Sequence, residues 1–287
     1  MVERRVRIGE LARRTGVSPD LLRAWERRYG LLAPVRSDGN YRLYTPADEA
    51  RVSAMKARVE AGVPAGEAAR IVLAEPVLPG AADFTAAAGA LGTALEDFDD
   101  AGSHAALDAL LSGFGFETVA REVLLPYLRR IGERWERGET TVAQEHFATV
   151  VLRGRLLGLA RGWDRGTGPR AVLSCAPGEL HELGLILFGL ALRGQGWRIT
   201  YLGADTPLDS LTATSRSLQP AAVVVVALTR GRLEAVRAEL GVLAGEAPLW
   251  LAGAGVDAEL AEACGARPLH GDPVAAAAEL AGAALPV

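Results

Sequence analysis

The chain has very little cysteine, histidine or methionine: of 287 residues, two are Cys, four are His and two are Met. Cys175 and Cys264 are too far apart and too few for a disulfide framework, and no CxxC or Cys/His spacing suggests zinc. No apolar run is long and uncharged enough to span a bilayer, so no membrane partner is expected. The first seven residues lack the apolar stretch of a secretory signal, which makes the cytoplasm the expected compartment. Excess positive charge is missing too. The net charge of −4 argues against a protein that coats nucleic acid.

What is present is ordinary globular composition, 49% apolar and 23% charged, in a chain long enough for two or three domains. The charge is uneven. Residues 1–60 hold thirteen Arg and Lys against eight Asp and Glu, so any phosphate-binding surface belongs at that end.

Ile8, Leu11 and Ala12 repeat at helical spacing up to Thr15-Gly16. Ser18-Pro19-Asp20 then starts a second helix, with serine as N-cap and proline in the first turn. That helix puts Leu22, Trp25 and Tyr29 on one face and Asp20, Arg23, Ala24 and Arg27 on the other. Two short helices joined by a glycine-containing turn match a helix-turn-helix. Residues 35–44 predict a small β wing turning at Asp38-Gly39. Thr45-Pro46 starts a further helix running to about Gly62, and another begins at Pro64. Arg23 and Arg27 are placed to reach a major groove, with Ser18, Arg28, Tyr29, Arg36, Asn40, Tyr41 and Arg42 around them for flanking contacts. The plain alternative is a solvated helix with Arg23 paired to Glu26.

Residues 75–80 form a Pro/Gly-containing linker. From 82 to 165 the pattern is Ala- and Leu-rich with helical period, which predicts a four-helix bundle. Gly166–Pro169 separates it from 168–287. There, apolar runs at 171–174, 198–202, 221–228, 249–252 and around 267–269 alternate with helical stretches of ten or more residues. That alternation predicts a Rossmann-like parallel sheet, with its ligand site beyond the strands' carboxyl ends. The first strand ends near Ser174. Glu179-Leu-His181-Glu-Leu-Gly184 follows and opens a helix. A loop imidazole at that edge suits a metal such as cobalt, and Glu179 can accept its other ring N–H. Gly184 leaves room for a bulky group.

Three resemblances follow from these residues. Arg7–Ser18, Leu22–Leu31 and Arg42-Leu-Tyr44 resemble the MerR family of regulators over residues 1–75, which implies a dimer on an inverted repeat of promoter DNA. Glu-x-His-x-x-Gly resembles the Asp-x-His-x-x-Gly signature of cobalamin-binding domains. This implies His181 as the metal ligand, with Ala227, Thr229, Ala252 and Gly253 beside the nucleotide tail. The chain departs from the related Ser-x-Leu and Gly-Gly motifs at Val226–Thr229 and Ala252. Trp135, followed after nine residues by Glu145-His146, resembles the cap of CarH/LitR-type photoreceptors. That likeness implies adenosylcobalamin covered by Trp135, Val142, Glu145 and His146. It also implies a homo-oligomeric, light-responsive repressor that is not an enzyme. Here Glu136 stands where relatives carry a second cobalt-ligating histidine, and Leu180 is apolar where relatives can carry a charge. The alternatives are a light-independent cobalamin sensor, a corrinoid carrier for methyl transfer, and a regulator whose altered groove no longer binds cobalamin.

Overall fold

A computed structural model describes residues 6–36, 41–74 and 81–283. They fall into two compact units. One holds the described residues up to Ala90 together with Ala106–Gly115. The other holds Leu91–Ala105 and the described residues from Phe116 onward.

In the first unit, strand β1 (Val6–Arg7) runs into helices α1 (Ile8–Thr15) and α2 (Pro19–Tyr29). Gly16 and Gly30 end these helices at φ 65° and 64°, a left-handed conformation that costs glycine least. Ser18 caps α2 by accepting the Leu21 N–H at 3.3 Å. Strands β2 (Val35–Arg36) and β3 (Arg42–Tyr44) complete a three-stranded antiparallel sheet in the order β1-β3-β2. The sequence predicts the hairpin but not β1, because two residues are too few to display a strand period. The Asp38-Gly39 turn and Asn40 lie outside the described residues. Helix α3 (Pro46–Glu60) opens on a Thr45–Asp48 capping box. Buried Asp48 also accepts the Ala33 N–H at 3.1 Å, which fastens the chain entering the wing. Helix α4 (Ala65–Ala74) follows. Leu11, Leu22, Trp25, Leu31, Tyr44 and Met55 form the core of this unit.

The helical module comprises α5 (Ala81–Glu96), α6 (Asp100–Gly113), α7 (Phe116–Val119), a π-helical turn (Ala120–Leu124), α8 (Leu125–Glu136) and α9 (Val142–Leu159). The π turn lies just before Pro126, whose missing N–H interrupts the regular ladder. Gly138, at φ 70°, follows α8, and a Thr141–Gln144 capping box starts α9.

The rest alternates: β4 (Arg170–Cys175), α10 (Leu183–Gly194), β5 (Arg198–Gly203), α11 (Leu208–Leu218), β6 (Ala222–Val226), α12 (Arg230–Ala235), α13 (Arg237–Glu246), β7 (Leu249–Ala252), α14 (Ala258–Ala263), β8 (Arg267–Pro268) and α15 (Pro273–Ala283). The five strands are parallel in the order β5-β4-β6-β7-β8. The strand order reverses at β4, so a crevice opens at the carboxyl ends of β4 and β6. Two expectations need correction. Helix α14 has only six residues, not ten or more, whereas between β6 and β7 the six-residue α12 precedes a ten-residue α13. Strand β6 stops at Val226 rather than Leu228, because Leu228 leaves the ladder to donate its N–H to Glu179. Arg198 holds the 166–169 separator, donating its backbone N–H to the Pro169 carbonyl and its Nε–H to the Gly168 carbonyl, each at 2.8 Å. Trp163 is buried, stacks edge-on against Tyr201 at 5.4 Å, and its carbonyl accepts the Ile199 N–H. Among the described residues no helix is long and apolar enough to cross a membrane.

Candidate cobalamin site and DNA-reading face

His181 lies on the loop between β4 and α10, at the sheet's carboxyl edge. Its side chain is 68% exposed, whereas Glu179, two residues earlier, is fully buried. The turn between them is tight: Glu179 Oε1 accepts the His181 backbone N–H at 3.0 Å and lies 2.6 Å from His181 Nδ1. The other carboxylate oxygen accepts the Leu228 N–H at 2.9 Å and Arg232 Nη1 at 2.6 Å. Burial by itself would raise the Glu179 carboxyl. The N–H donors of Leu228 and His181, the imidazole and the Arg232 guanidinium outweigh it and hold the group at about 2. The carboxylate therefore stays ionised and takes the acceptor role toward Nδ1, which leaves Nε2 as the ring nitrogen that Glu179 does not hold. An exposed imidazole oriented through one ring nitrogen by a carboxylate is the kind of donor that a cobalt ion takes, so these residues fit a corrinoid.

Small residues surround this edge. Gly253 has φ 102°, and a Cβ there would come within 2.4 Å of the Ala227 carbonyl oxygen. Ala227 also donates its N–H to Ala252. The loops after β6 and β7 thus approach so closely that only glycine is accommodated at 253. Gly184 lies in the first turn of α10, its Cβ position 3.8 Å from Pro273 at the start of α15. Thr229 begins α12 without a side-chain cap bond. Leu180 and Leu228 are exposed apolar residues flanking His181 and Glu179's anchor.

On the helical module, Trp135 occupies the last turn of α8 and Val142 the first position of α9; they are 52% and 54% exposed. Glu145 accepts Thr149 Oγ1 at 2.8 Å and lies 3.6 Å from His146 Nε2. Arg153 of α9 pairs with Glu182, the residue after His181, and Glu182 accepts the Tyr201 hydroxyl at 2.5 Å. The sequence reading missed Arg153, Glu182, Tyr201 and Arg232. No local pattern marks them, since each finds its partner at 19 to 53 residues' distance along the chain.

On the first unit, Arg23 and Arg27 are both exposed on α2. Arg23 pairs with Asp20 at 2.9 Å, not with Glu26. Glu26 is taken by Arg42, at 3.1 Å, and by the Tyr44 hydroxyl, at 2.9 Å. Arg42 thus braces the wing strand against α2. The Arg28 guanidinium sits 5.5 Å from the Tyr29 ring centre, and Arg7 covers the Tyr41 ring at 4.5 Å. Ser18 serves as the α2 cap. Arg36 belongs to β2.

The comparisons agree with this architecture. Residues 6–75 match the MerR HTH family regulatory protein model, and residues 88–157 match the B12 binding domain model. The HTH-type transcriptional repressor CarH of Myxococcus xanthus is 36% identical over 234 residues, covering 77% of this chain and 78% of that one. The HTH-type transcriptional repressor CarA of the same organism is 37% identical over 238 residues, covering 79% of this chain and 77% of that one. The Methanosarcina barkeri monomethylamine corrinoid protein superposes with a TM-score of 0.56 at 20% identity, over 68% of this chain and 94% of that one; this likeness concerns the fold alone. Fold and site define a helix-turn-helix regulator joined to a cobalamin-binding module. The chain belongs to the CarH/CarA family of MerR-type, cobalamin-dependent transcriptional regulators.

Proposed function

We propose that the cofactor is adenosylcobalamin, with His181 Nε2 as the atom that would hold its cobalt and Trp135, Val142, Glu145 and His146 as the residues that would cover it. One observation carries this reading: buried, ionised Glu179 fixes Nδ1 of an exposed imidazole at the sheet edge and leaves Nε2 free. Ala227, Thr229, Ala252, Gly253 and Gly184 are the small residues that this reading sets beside its nucleotide tail. When bound, the adenosyl form supplies a cobalt–carbon bond that light breaks.

The chain's own residues couple that event to DNA. Trp135 and Val142 offer apolar cover, and Glu145 offers an acceptor. Once nothing remains for them to cover, α8 and α9 gain by moving, since a ligand drives a switch only through differential binding to two states. Residues 82–165 act as the cap, 168–287 hold the corrinoid and 1–75 read DNA. In the dark, two or more copies grip an inverted repeat through Ser18, Arg23, Arg27, Arg28, Tyr29, Arg36, Asn40, Tyr41 and Arg42. Illumination weakens that assembly, which makes the protein a light-responsive repressor rather than an enzyme, working in the cytoplasm.

A light-independent cobalamin sensor is the second reading. Glu136, not histidine, follows Trp135, and His146 is 72% exposed beside Glu145. The test uses the full chain purified with adenosylcobalamin in darkness. Spectrum, solution mass and operator binding are recorded before and after green light. Operator release on illumination is the expected result. Spectral change with retained DNA binding replaces it with the second reading, and absence of any bound corrinoid removes both. In the same assay His181→Ala loses the cofactor; unaltered retention removes His181 as ligand.

A further inference from the structure

Two hydroxyls in the helical module are buried without a hydrogen-bond partner among the described residues: Tyr127 Oη on α8 and Thr140 Oγ1 in the loop before α9. Tyr127 is 4% exposed and Thr140 8%. Both line one cavity of about 10 Å³, together with Glu96, Arg130, Ile131, Arg134 and Gln144. A buried hydroxyl left unpaired costs about 1–3 kcal/mol, and two unpaired hydroxyls facing one void would be a poor solution for a folded protein.

We infer that this cavity is a binding site for a single ordered water molecule, which bridges Tyr127 Oη and Thr140 Oγ1 and fastens the loop between Trp135 and Val142. The volume matches one water, which needs roughly 10–15 Å³ of this kind of space and two to four polar partners. Size selects water over a polyatomic ion, since about 10 Å³ holds one water molecule and no more. Glu96 is already paired with Arg134 at 2.6 Å, so a cation gains little there, and Arg130 lies 5.5 Å from the Tyr127 ring centre. Tyr127 is pushed up to about 12 by its burial and then by Glu96, so it remains a neutral donor. Gln144, whose side-chain N–H donates to the Glu96 carbonyl at 3.2 Å, closes the cavity from α9. The water would therefore tie α8 to the loop, beside the point where Gln144 holds the end of α5.

The test combines a crystal structure of the full chain, at a resolution that shows solvent, with three variants: Tyr127→Phe, Thr140→Val and the double substitution. The site predicts one density peak within hydrogen-bond distance of both hydroxyls. It also predicts that each single variant lowers the Tm of the cobalamin-binding unit by about 2–4 °C. The double variant should fall no further than the larger single effect, because the first substitution already removes the shared molecule. A dry cavity, a direct bond between the two hydroxyls, or additive Tm losses would overturn the inference. The variants retain shape and volume closely enough to fold. None of these readouts depends on light or on bound corrinoid, so the outcome stands apart from that of the photoreceptor reading.

Discussion

Arg153 of α9 and Glu182, the residue after His181, form an ion pair that joins the helical module to the loop carrying the exposed imidazole. Glu182 is almost completely buried and holds Tyr201 of β5 as well, so one carboxylate ties three segments. A second tie, Arg121 of the π turn to Asp272 before α15 at 3.5 Å, lies elsewhere on the same boundary. Movement of α9 therefore acts on the neighbour of His181.

Breaking that pair should loosen the module. Arg153→Met strands a buried carboxylate with only the tyrosine hydroxyl beside it. Because the arginine is half exposed, the expected loss is about 1–3 kcal/mol, below the 3–5 kcal/mol typical of a fully buried pair. Urea unfolding of the full chain measures it, and a change below about 0.5 kcal/mol would show that the pair does not join the two parts.

Glu179 sets an acid limit on stability. Its folded value, about 2, lies below the ordinary 4.5, so the unfolded state takes up a proton first as pH falls. The stabilisation is complete above about pH 5 and is lost between about pH 4.5 and 2. It is on the order of 3 kcal/mol. Glu179→Gln should remove most of this dependence. Denaturation midpoints at pH 6 and pH 3.5, compared between variant and parent, provide the check; parallel behaviour of the two proteins would count against the buried anion.

Gly253→Ala tests the close approach of the loops after β6 and β7. The new Cβ meets the Ala227 carbonyl oxygen, and the backbone φ of 102° is strained for any L side chain. A loss of about 2–4 kcal/mol is expected, together with weaker cobalamin retention. Both are measurable, by thermal unfolding and by dialysis of the loaded protein.

Arg27→Ala tests the reading helix. The side chain is exposed and forms no ion pair among the described residues, so folding should be unaffected. Operator affinity should fall by about tenfold, and the salt slope of binding by about one unit if the contact is to phosphate. Arg42→Ala should instead lower the unit's stability by about 0.5–1 kcal/mol, since it releases Glu26. A gel-shift series at several salt concentrations and an unfolding curve separate the two roles.

Much of the architecture is written in local patterns. Glycines at 16, 30 and 138, the caps at Ser18, Thr45 and Thr141, and the Val-rich run at 222–226 specify helix ends and strands through interactions that span four residues or fewer. The Glu179–His181 contact was legible for the same reason, since the partners are two residues apart. Strand β1 was not, because its partner Tyr44 is 38 residues away and two residues carry no period.

By itself, the sequence determined the order of parts and the identity of the loop imidazole, His181, because both depend on short-range spacing. Only the tertiary structure decided how that residue is held. Arg232 arrives from 53 residues away to keep Glu179 charged, Leu228 abandons its strand to do the same, and Arg153 reaches across from the helical module. These groups meet because parallel strands bring distant loops to one sheet edge, and a buried carboxylate must collect donors wherever the fold delivers them.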